Sequence, residues 1–434
     1  MRTTLVLIGD ELLNGSVSDT AASWIGEKLL THGFALSHVQ VVGDDLAAIS
    51  DAINVATARG DAVVLTGGLG PTSDDLTRQA LARTLRVPLL RDRELLDLIA
   101  KRYAALGRTM PKNAEAMAEL PEGSTPLLNQ EGSAPGIKAV IDGVLIFALP
   151  GVPREMREMF SHEVLPVLLR QFQPEQLTTL VLRIAIEGES AVAAKLHQWE
   201  QSLSTSVSVA YLAELGNVLV KVTGTHESEV RSQAESAAEL IGDSIYAIQN
   251  QNEPPRQLQA EVLRLLRDRD ESIATAESLT GGGVGKALTD VPGSSENYLG
   301  GFITYSPALK IELLNVPAEL IFRVGTVDPQ IALAMAHGAR LATGADWAVA
   351  TTGVAGPTPS EGQDPGTVYI AMVGSEQGFE RVIRLDIRHL SRALVRRATV
   401  IHTLELVRRT LSGLGNAIGV TEVTQLVHET QSKS

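Results

Sequence analysis

A serine that ends an apolar run and is followed at once by glycines is the arrangement in this sequence best suited to chemistry: Ala276-Glu277-Ser278-Leu279-Thr280-Gly281-Gly282. A strand that stops at Ser278 and turns through Gly281 and Gly282 into a helix exposes the hydroxyl as a nucleophile. Backbone N–H groups of Thr280, Gly281 and Gly282 can then hold an oxyanion or a phosphate beside it. A plain helix cap by Ser278 or Thr280 fits the same residues. Downstream, 301–306 reads as a buried strand, and Lys310 opens a short helix through the apolar run 311–314. A helix N-terminus and burial both disfavour a protonated amine, so Lys310 is a candidate base with the Tyr305 hydroxyl as relay; a solvated surface lysine is the alternative. The stretch Thr351-Thr352-Gly353-Val354-Ala355-Gly356-Pro357 follows a strand over 347–350 and offers Gly353, Ala355 and Gly356 as a second wall. Arg392 and Arg396 lie one turn apart at the head of the last long helix, where guanidinium forks suit phosphate oxygens. A solvated basic face accounts for Arg396 and Arg397 about as well.

Taken together, Glu277 to Gly282, Thr304-Tyr305-Ser306 with Leu309-Lys310, Thr351 to Pro357, Pro365-Gly366-Thr367-Val368 and the late arginines resemble the nicotinamide mononucleotide deamidase domain. The chain as a whole, over about 1–410, resembles the competence/damage-inducible protein A (CinA) family, in which that domain is carboxy-terminal. The resemblance implies that Ser278 is the nucleophile, that Tyr305 and Lys310 activate it, that Arg392 contacts substrate, and that this site uses no cofactor. Two positions depart from the family pattern: Leu390-Ser391 stands where the family has Gly-Asp, and Asp364-Pro365 precedes Gly366 where it has Pro-Val.

A length of 434 residues exceeds what one core usually serves, so two or three domains are expected. The balance of 37 basic against 51 acidic residues, a net charge of −14, argues against direct nucleic-acid binding. The absence of cysteine removes disulfides, thiolate zinc sites and a cysteine nucleophile, and the nine histidines show no paired zinc spacing. The amino-terminal apolar run is too short for a signal-peptide core and nothing is long enough to span a bilayer, so a soluble cytoplasmic protein with no membrane partner is expected.

The first 172 residues alternate apolar strands (4–8, 62–66, 144–149) with helical patterns (20–32 and onward from Ser73), which predicts an α/β fold with a mostly parallel sheet. Ligands collect at the carboxyl ends of such strands. The loops there join glycines to carboxylates: Gly9-Asp10-Glu11, Gly43-Asp44-Asp45, and Gly67-Gly68-Leu69-Gly70-Pro71-Thr72-Ser73-Asp74-Asp75. Gly67, Gly68, Gly70, Thr72 and Ser73 can cradle phosphates, and Glu11, Asp44 and Asp75 are candidate ligands for a hard divalent cation, acid/base groups, or structural loop residues. This part resembles the molybdopterin-binding fold found at the front of the CinA family. The resemblance implies hydrolysis of ADP-ribose with Mg²⁺, Mn²⁺ or Co²⁺, with Asp75 in the catalytic set. Here Asp19-Thr20-Ala21 replaces the family's Asp-Thr-Asn.

Residues 178–250 read as a βαββαβ, ferredoxin-like spacer or dimer-contact module; Asn250 to Pro255 is a linker, the deamidase-like domain spans 256–411, and 412–434 is a polar tail. The expected protein is a homodimeric, bifunctional hydrolase acting on nicotinamide mononucleotide and ADP-ribose. The alternatives are a deamidase with a non-catalytic nucleotide- or pterin-sensing front domain, and a non-enzymatic competence or DNA-repair scaffold.

Overall fold

The computed structural model describes residues 1–425 apart from 106, 175–176, 375–377 and 418. The chain divides into two units, Met1–Leu177 and Thr178–Ser434. Among the described residues no helix is long and apolar enough to cross a membrane.

The first unit contains β1 (Arg2–Ile8), β2 (Ala35–Val42), β3 (Ala62–Thr66), β4 (Leu89–Arg91), β5 (Glu119–Pro121), β6 (Thr125–Leu127), β7 (Gly136–Ile141) and β8 (Val144–Leu149). Its main sheet has the order β2-β1-β3-β8-β7-β6, parallel from β2 to β8 and antiparallel beyond, while β4 and β5 form a separate ribbon. The unbroken apolar run of β3 follows from burial on both faces: Val63 and Leu65 enter one core, Ala62 and Val64 the other. Asp45 starts the helix Leu46–Arg59 by accepting from the N–H groups of Ala47 and Ala48 at 3.0 and 2.8 Å. The helix expected from Ser73 begins only at Thr77. Residues 73–76 belong to the preceding turn because the Asp75 carboxylate folds back onto it.

The second unit opens with β9 (Thr178–Ala185), β10 (Val207–Glu214), β11 (Asn217–Gly224) and β12 (Ile245–Asn250), in the order β10-β11-β9-β12 and antiparallel throughout, with the helices Glu189–Gln201 and Glu227–Ile241 on one face. That is the ferredoxin-like order read from the sequence. Ala185, Tyr246 and Ala247 of this sheet share a core with Leu258, Val262 and Leu263 of the next helix, so the module and the following domain are packed as one.

The remaining sheet comprises β13 (Ile273–Glu277), β14 (Tyr298–Ile303), β15 (Trp347–Gly353), β16 (Thr367–Val373), β17 (Glu380–Asp386) and β18 (Thr421–Glu422), ordered β14-β13-β15-β16-β17-β18. It is parallel across β14, β13 and β15, then antiparallel. Three expectations are corrected here. The strand read as buried over 301–306 is β14, an edge strand whose residues alternate between half-buried and exposed because one side of the sheet ends there. The strand before the glycine wall runs on through Gly353. The first part of the polar tail, read as lying outside the domain, adds β18 to the sheet and buries Val423 in its core, while residues 426–434 of that tail lie outside the described residues.

The last helix, Arg392–Leu411, is anchored by a buried ion cluster. Arg408 donates from Nε and Nη2 to the fully buried Glu405 carboxylate, both at 2.7 Å, and from Nη2 to the Asp243 carbonyl at 2.7 Å; Arg409 flanks the same carboxylate. Removing one charge from such a cluster leaves the others unmatched. Glu405→Gln should therefore destabilise this unit by about 3 kcal/mol in urea unfolding. An unchanged midpoint would show the cluster to be dispensable.

Candidate functional site

Every residue of β13 is buried, and the strand delivers its chain to Ser278, whose N–H donates to the Thr351 carbonyl at 3.0 Å. The chain then reverses: Gly281 N–H donates to the Ser278 carbonyl at 3.1 Å, and Gly282, at φ 91°, caps the helix Gly283–Thr289 in a backbone region that glycine enters without strain. The first free N–H groups of that helix do not face a ligand. The carboxylate of Glu277, 2 % exposed, accepts from Val284 and Gly285 at 3.0 and 2.8 Å. Among the described residues the N–H groups of Leu279, Thr280 and Gly282 have no acceptor, so the donors open to an anion are those of the loop itself and not of the helix. The Thr280 hydroxyl is bonded to that of Thr351 at 2.8 Å, which leaves only its backbone for substrate.

Lys310 sits in the helix Pro307–Leu314, whose first turn is fixed by Pro307 and by Ser306 Oγ accepting from Leu309 N–H at 3.3 Å. It is 1 % exposed, and Nζ donates to the Thr304 carbonyl at 2.6 Å and to Ser278 Oγ at 3.1 Å. Burial lowers its pKa to about 8, against an opposing pull from the negative charge of Glu361. Lys310 and Ser278 thus touch without an intermediary. The relay expected of Tyr305 is not the arrangement found: Tyr305 is 60 % exposed, and its hydroxyl accepts from Arg392 Nη2 at 3.0 Å.

Arg392 also donates from Nη1 to the Gly356 carbonyl at 2.8 Å, joining the third segment of the site. Of the expected wall, only Gly356 meets a site residue. Gly353 lies inside β15, where an added Cβ would stand 2.6 Å from the Thr367 carbonyl, and Ala355 is buried in the core. Arg396 faces inward, donating from Nε to the Leu279 carbonyl and from Nη2 to the Thr280 carbonyl, each at 2.9 Å. It clamps the nucleophile loop, a role that the sequence reading left level with a solvated face. The spacing from Arg392 was the available signal. Glu277 was missed too, although a carboxylate in a buried strand demands a partner.

In the first unit, Glu11, Asp44, Gly67, Gly68, Gly70 and Asp75 line one cavity of about 440 Å³, together with Glu155. Thr72 and Ser73 are not part of its lining. Gly67, at φ 109°, passes so close to β1 that a Cβ would lie 2.1 Å from the Ile8 carbonyl. Asp75 holds the loop, accepting from the N–H groups of Gly70 and Thr72 at 2.8 Å each and from the Thr72 hydroxyl. Arg78, 3 % exposed, donates to the carbonyls of Leu69 and Gly70, a role the sequence reading did not assign. Burial, reinforced by the charges of Asp10, Glu11 and Asp74, raises the Asp44 pKa, opposed by the hydrogen bond from Asp10 N–H. Three carboxylates do not converge here as a cation site, and among the described residues no group of three acidic or histidine side chains does. The expected ligand set of Glu11, Asp44 and Asp75 lines the same cavity, and Asp75 also holds its own loop.

Residues 4–170 match the family model described as "Probable molybdopterin binding domain", and residues 255–411 the model "CinA C-terminal domain". A CinA-like protein of Frankia casuarinae is 39 % identical over 96 % of this chain and 98 % of its own. A CinA-like protein of Parasynechococcus marenigrum is 37 % identical over 94 % and 97 %. The crystal structure of a competence/damage inducible protein from Agrobacterium tumefaciens is 35 % identical over 36 % of this chain and 93 % of that one, with a TM-score of 0.34. Near-full-length identity at this level, with both domain models in the same order, makes this chain a member of the CinA family.

Proposed function

We propose that the second unit is an amidohydrolase that converts nicotinamide mononucleotide to nicotinate mononucleotide and ammonia. The observation that carries this reading is the 3.1 Å contact between Ser278 Oγ and a lysine amine buried to 1 % exposure. When Lys310 is neutral it accepts the Ser278 proton, and Oγ attacks the carboxamide carbon. Charge developing on the amide oxygen is met by the free N–H groups of the Leu279–Gly282 loop. The protonated Lys310 returns its proton to the leaving nitrogen, ammonia departs, and water cleaves the acyl-serine to nicotinate mononucleotide and the restored hydroxyl. Arg392, with Tyr305, binds the 5′-phosphate, so that remote binding energy positions the amide; free nicotinamide lacks that handle.

For the first unit we propose a nucleotide or pterin ligand in the 440 Å³ cavity, with ADP-ribose hydrolysis as the activity to test. The specific support is the glycine loop, held at Leu69, Gly70 and Thr72 by Arg78 and Asp75, whose backbone can approach a pyrophosphate closely.

Ser278→Ala should lower ammonia release from nicotinamide mononucleotide by roughly a thousandfold or more while the protein stays folded. Wild-type turnover by that variant would remove the nucleophile. Because the Lys310 pKa is lowered to about 8, the active neutral amine gains population as pH rises. The rate constant kcat/KM should climb about tenfold per pH unit below that value and level off above it. Lys310→Arg, which stays charged, should abolish both the activity and the rise. A flat profile in the wild type would place the base elsewhere. Asp75→Asn should weaken ADP-ribose binding by about tenfold, through the loosened loop, without altering deamidation. If the wild-type protein neither binds nor cleaves ADP-ribose in the presence of Mg²⁺, Mn²⁺ or Co²⁺, the first unit has another ligand.

A further inference from the structure

A second cleft, of about 730 Å³, opens within the second unit between the ferredoxin-like sheet and the two helices that bracket the nucleophile loop. Its size is that of a small-molecule site. Gly283 and Lys286 of the helix Gly283–Thr289 line it, as do Arg397, Ile401 and Leu404 of the last helix and Arg183, Glu214, Asn217 and Leu219 of the sheet. Lys286 is neutralised by Asp290 at 2.6 Å. Arg183 has only neutral partners, the Gln249 amide oxygen on its Nε at 2.9 Å and the Tyr246 hydroxyl, and among the described residues Arg397 has no hydrogen-bond or ionic partner. With Lys286 and Asp290 of the lining cancelling, two guanidinium groups remain against the Glu214 carboxylate, in a chain whose net charge is −14. Asn217 Oδ1 is buried with no donor, an arrangement that costs stability unless a ligand supplies one. Leu219, Ile401 and Leu404 provide an apolar wall.

We propose that this cleft binds a nucleoside monophosphate. Arg183 and Arg397 would take the phosphate, Glu214 and Asn217 Oδ1 would accept from ribose hydroxyls or an exocyclic amine, and the base would cover the apolar wall. Inorganic phosphate satisfies only the first of these. Occupancy bears on the nucleophile loop, because Arg397 adjoins the Arg396 that clamps the Leu279 and Thr280 carbonyls, and Gly283 continues directly from that loop. The binding itself is independent of whether the loop deamidates anything.

Amide hydrogen exchange of the full-length protein with AMP tests this. AMP should slow exchange over residues 283–290 and 397–404 at least fivefold, and inorganic phosphate at the same concentration should not. Arg397→Glu and Arg183→Gln should each raise the AMP concentration needed at least tenfold while leaving the exchange pattern without AMP unchanged outside the cleft. Protection that persists undiminished in both variants would overturn the proposal, as would no protection at millimolar AMP. Equal protection by inorganic phosphate would likewise overturn the nucleoside assignment.

Discussion

An amine held out of water against a serine hydroxyl is the constraint around which the second unit is arranged. A lysine ammonium is stable only when solvated or paired with charge, and Lys310 has instead a carbonyl, a hydroxyl and a distant carboxylate. Keeping it there requires the edge strand to end at Ile303, the proline-led helix to begin at Pro307, and β13 to bring Ser278 to the same spot. The burial that weakens the amine as a cation is what makes it useful as a base. The helix gains little from Lys310 as a core residue; the site gains an amine whose pKa is lowered to about 8.

The two units share one solution to a common problem, that of holding a glycine loop still beside a ligand. Each has a fully buried strand, β3 or β13, that runs into glycines and then a helix. Each uses one guanidinium to gather two consecutive carbonyls of the loop, Arg78 for Leu69 and Gly70, Arg396 for Leu279 and Thr280. Each uses one carboxylate to gather two backbone N–H groups, Asp75 in the first unit and Glu277 in the second. Glycine supplies the conformations and the charged pair removes the freedom that comes with them. Charged groups in such places are scaffolding before they are chemistry, which is why a carboxylate near a phosphate loop need not be a metal ligand.

The sequence was most legible where periodicity and burial coincide. β3 and β8 were read at their observed bounds, and the whole βαββαβ order was recovered, because each strand there is a contiguous β-branched run between turn residues. Boundaries failed where a side chain overrode local preference: Asp75 drew residues 73–76 out of the helix, and the pairing of Gly353 with Val368 prolonged a strand through residues that look like a loop. Ser278 and Lys310 were visible as a pair, but the contact between them was not, since whether Tyr305 stands between them depends on an edge strand's facing. Arg396 was visible as a residue but not as a clamp, because the carbonyls it holds lie far back in the chain, whereas Arg78 and Glu277 went unread because each bonds to backbone across a local turn whose path only the folded loop defines.

The position of Arg396 in the chain also matters for when the site can come into being. Ser278, Lys310 and the free N–H groups of their loop are all synthesised well before residue 392, whereas the guanidinium that fixes the loop belongs to the last helix, and that helix is itself secured through Glu405 and Arg408 to Asp243. A nascent chain emerging from the ribosome therefore carries Ser278 and Lys310 without the clamp that orients their loop. Folding from the amino terminus first, as synthesis favours, completes the ferredoxin-like module and leaves it waiting for that helix. The fixed loop arrives only with the final turns of the molecule, and a product truncated before them lacks both the clamp and the core side chains Val395, Leu404, Leu406, Val407 and Leu411.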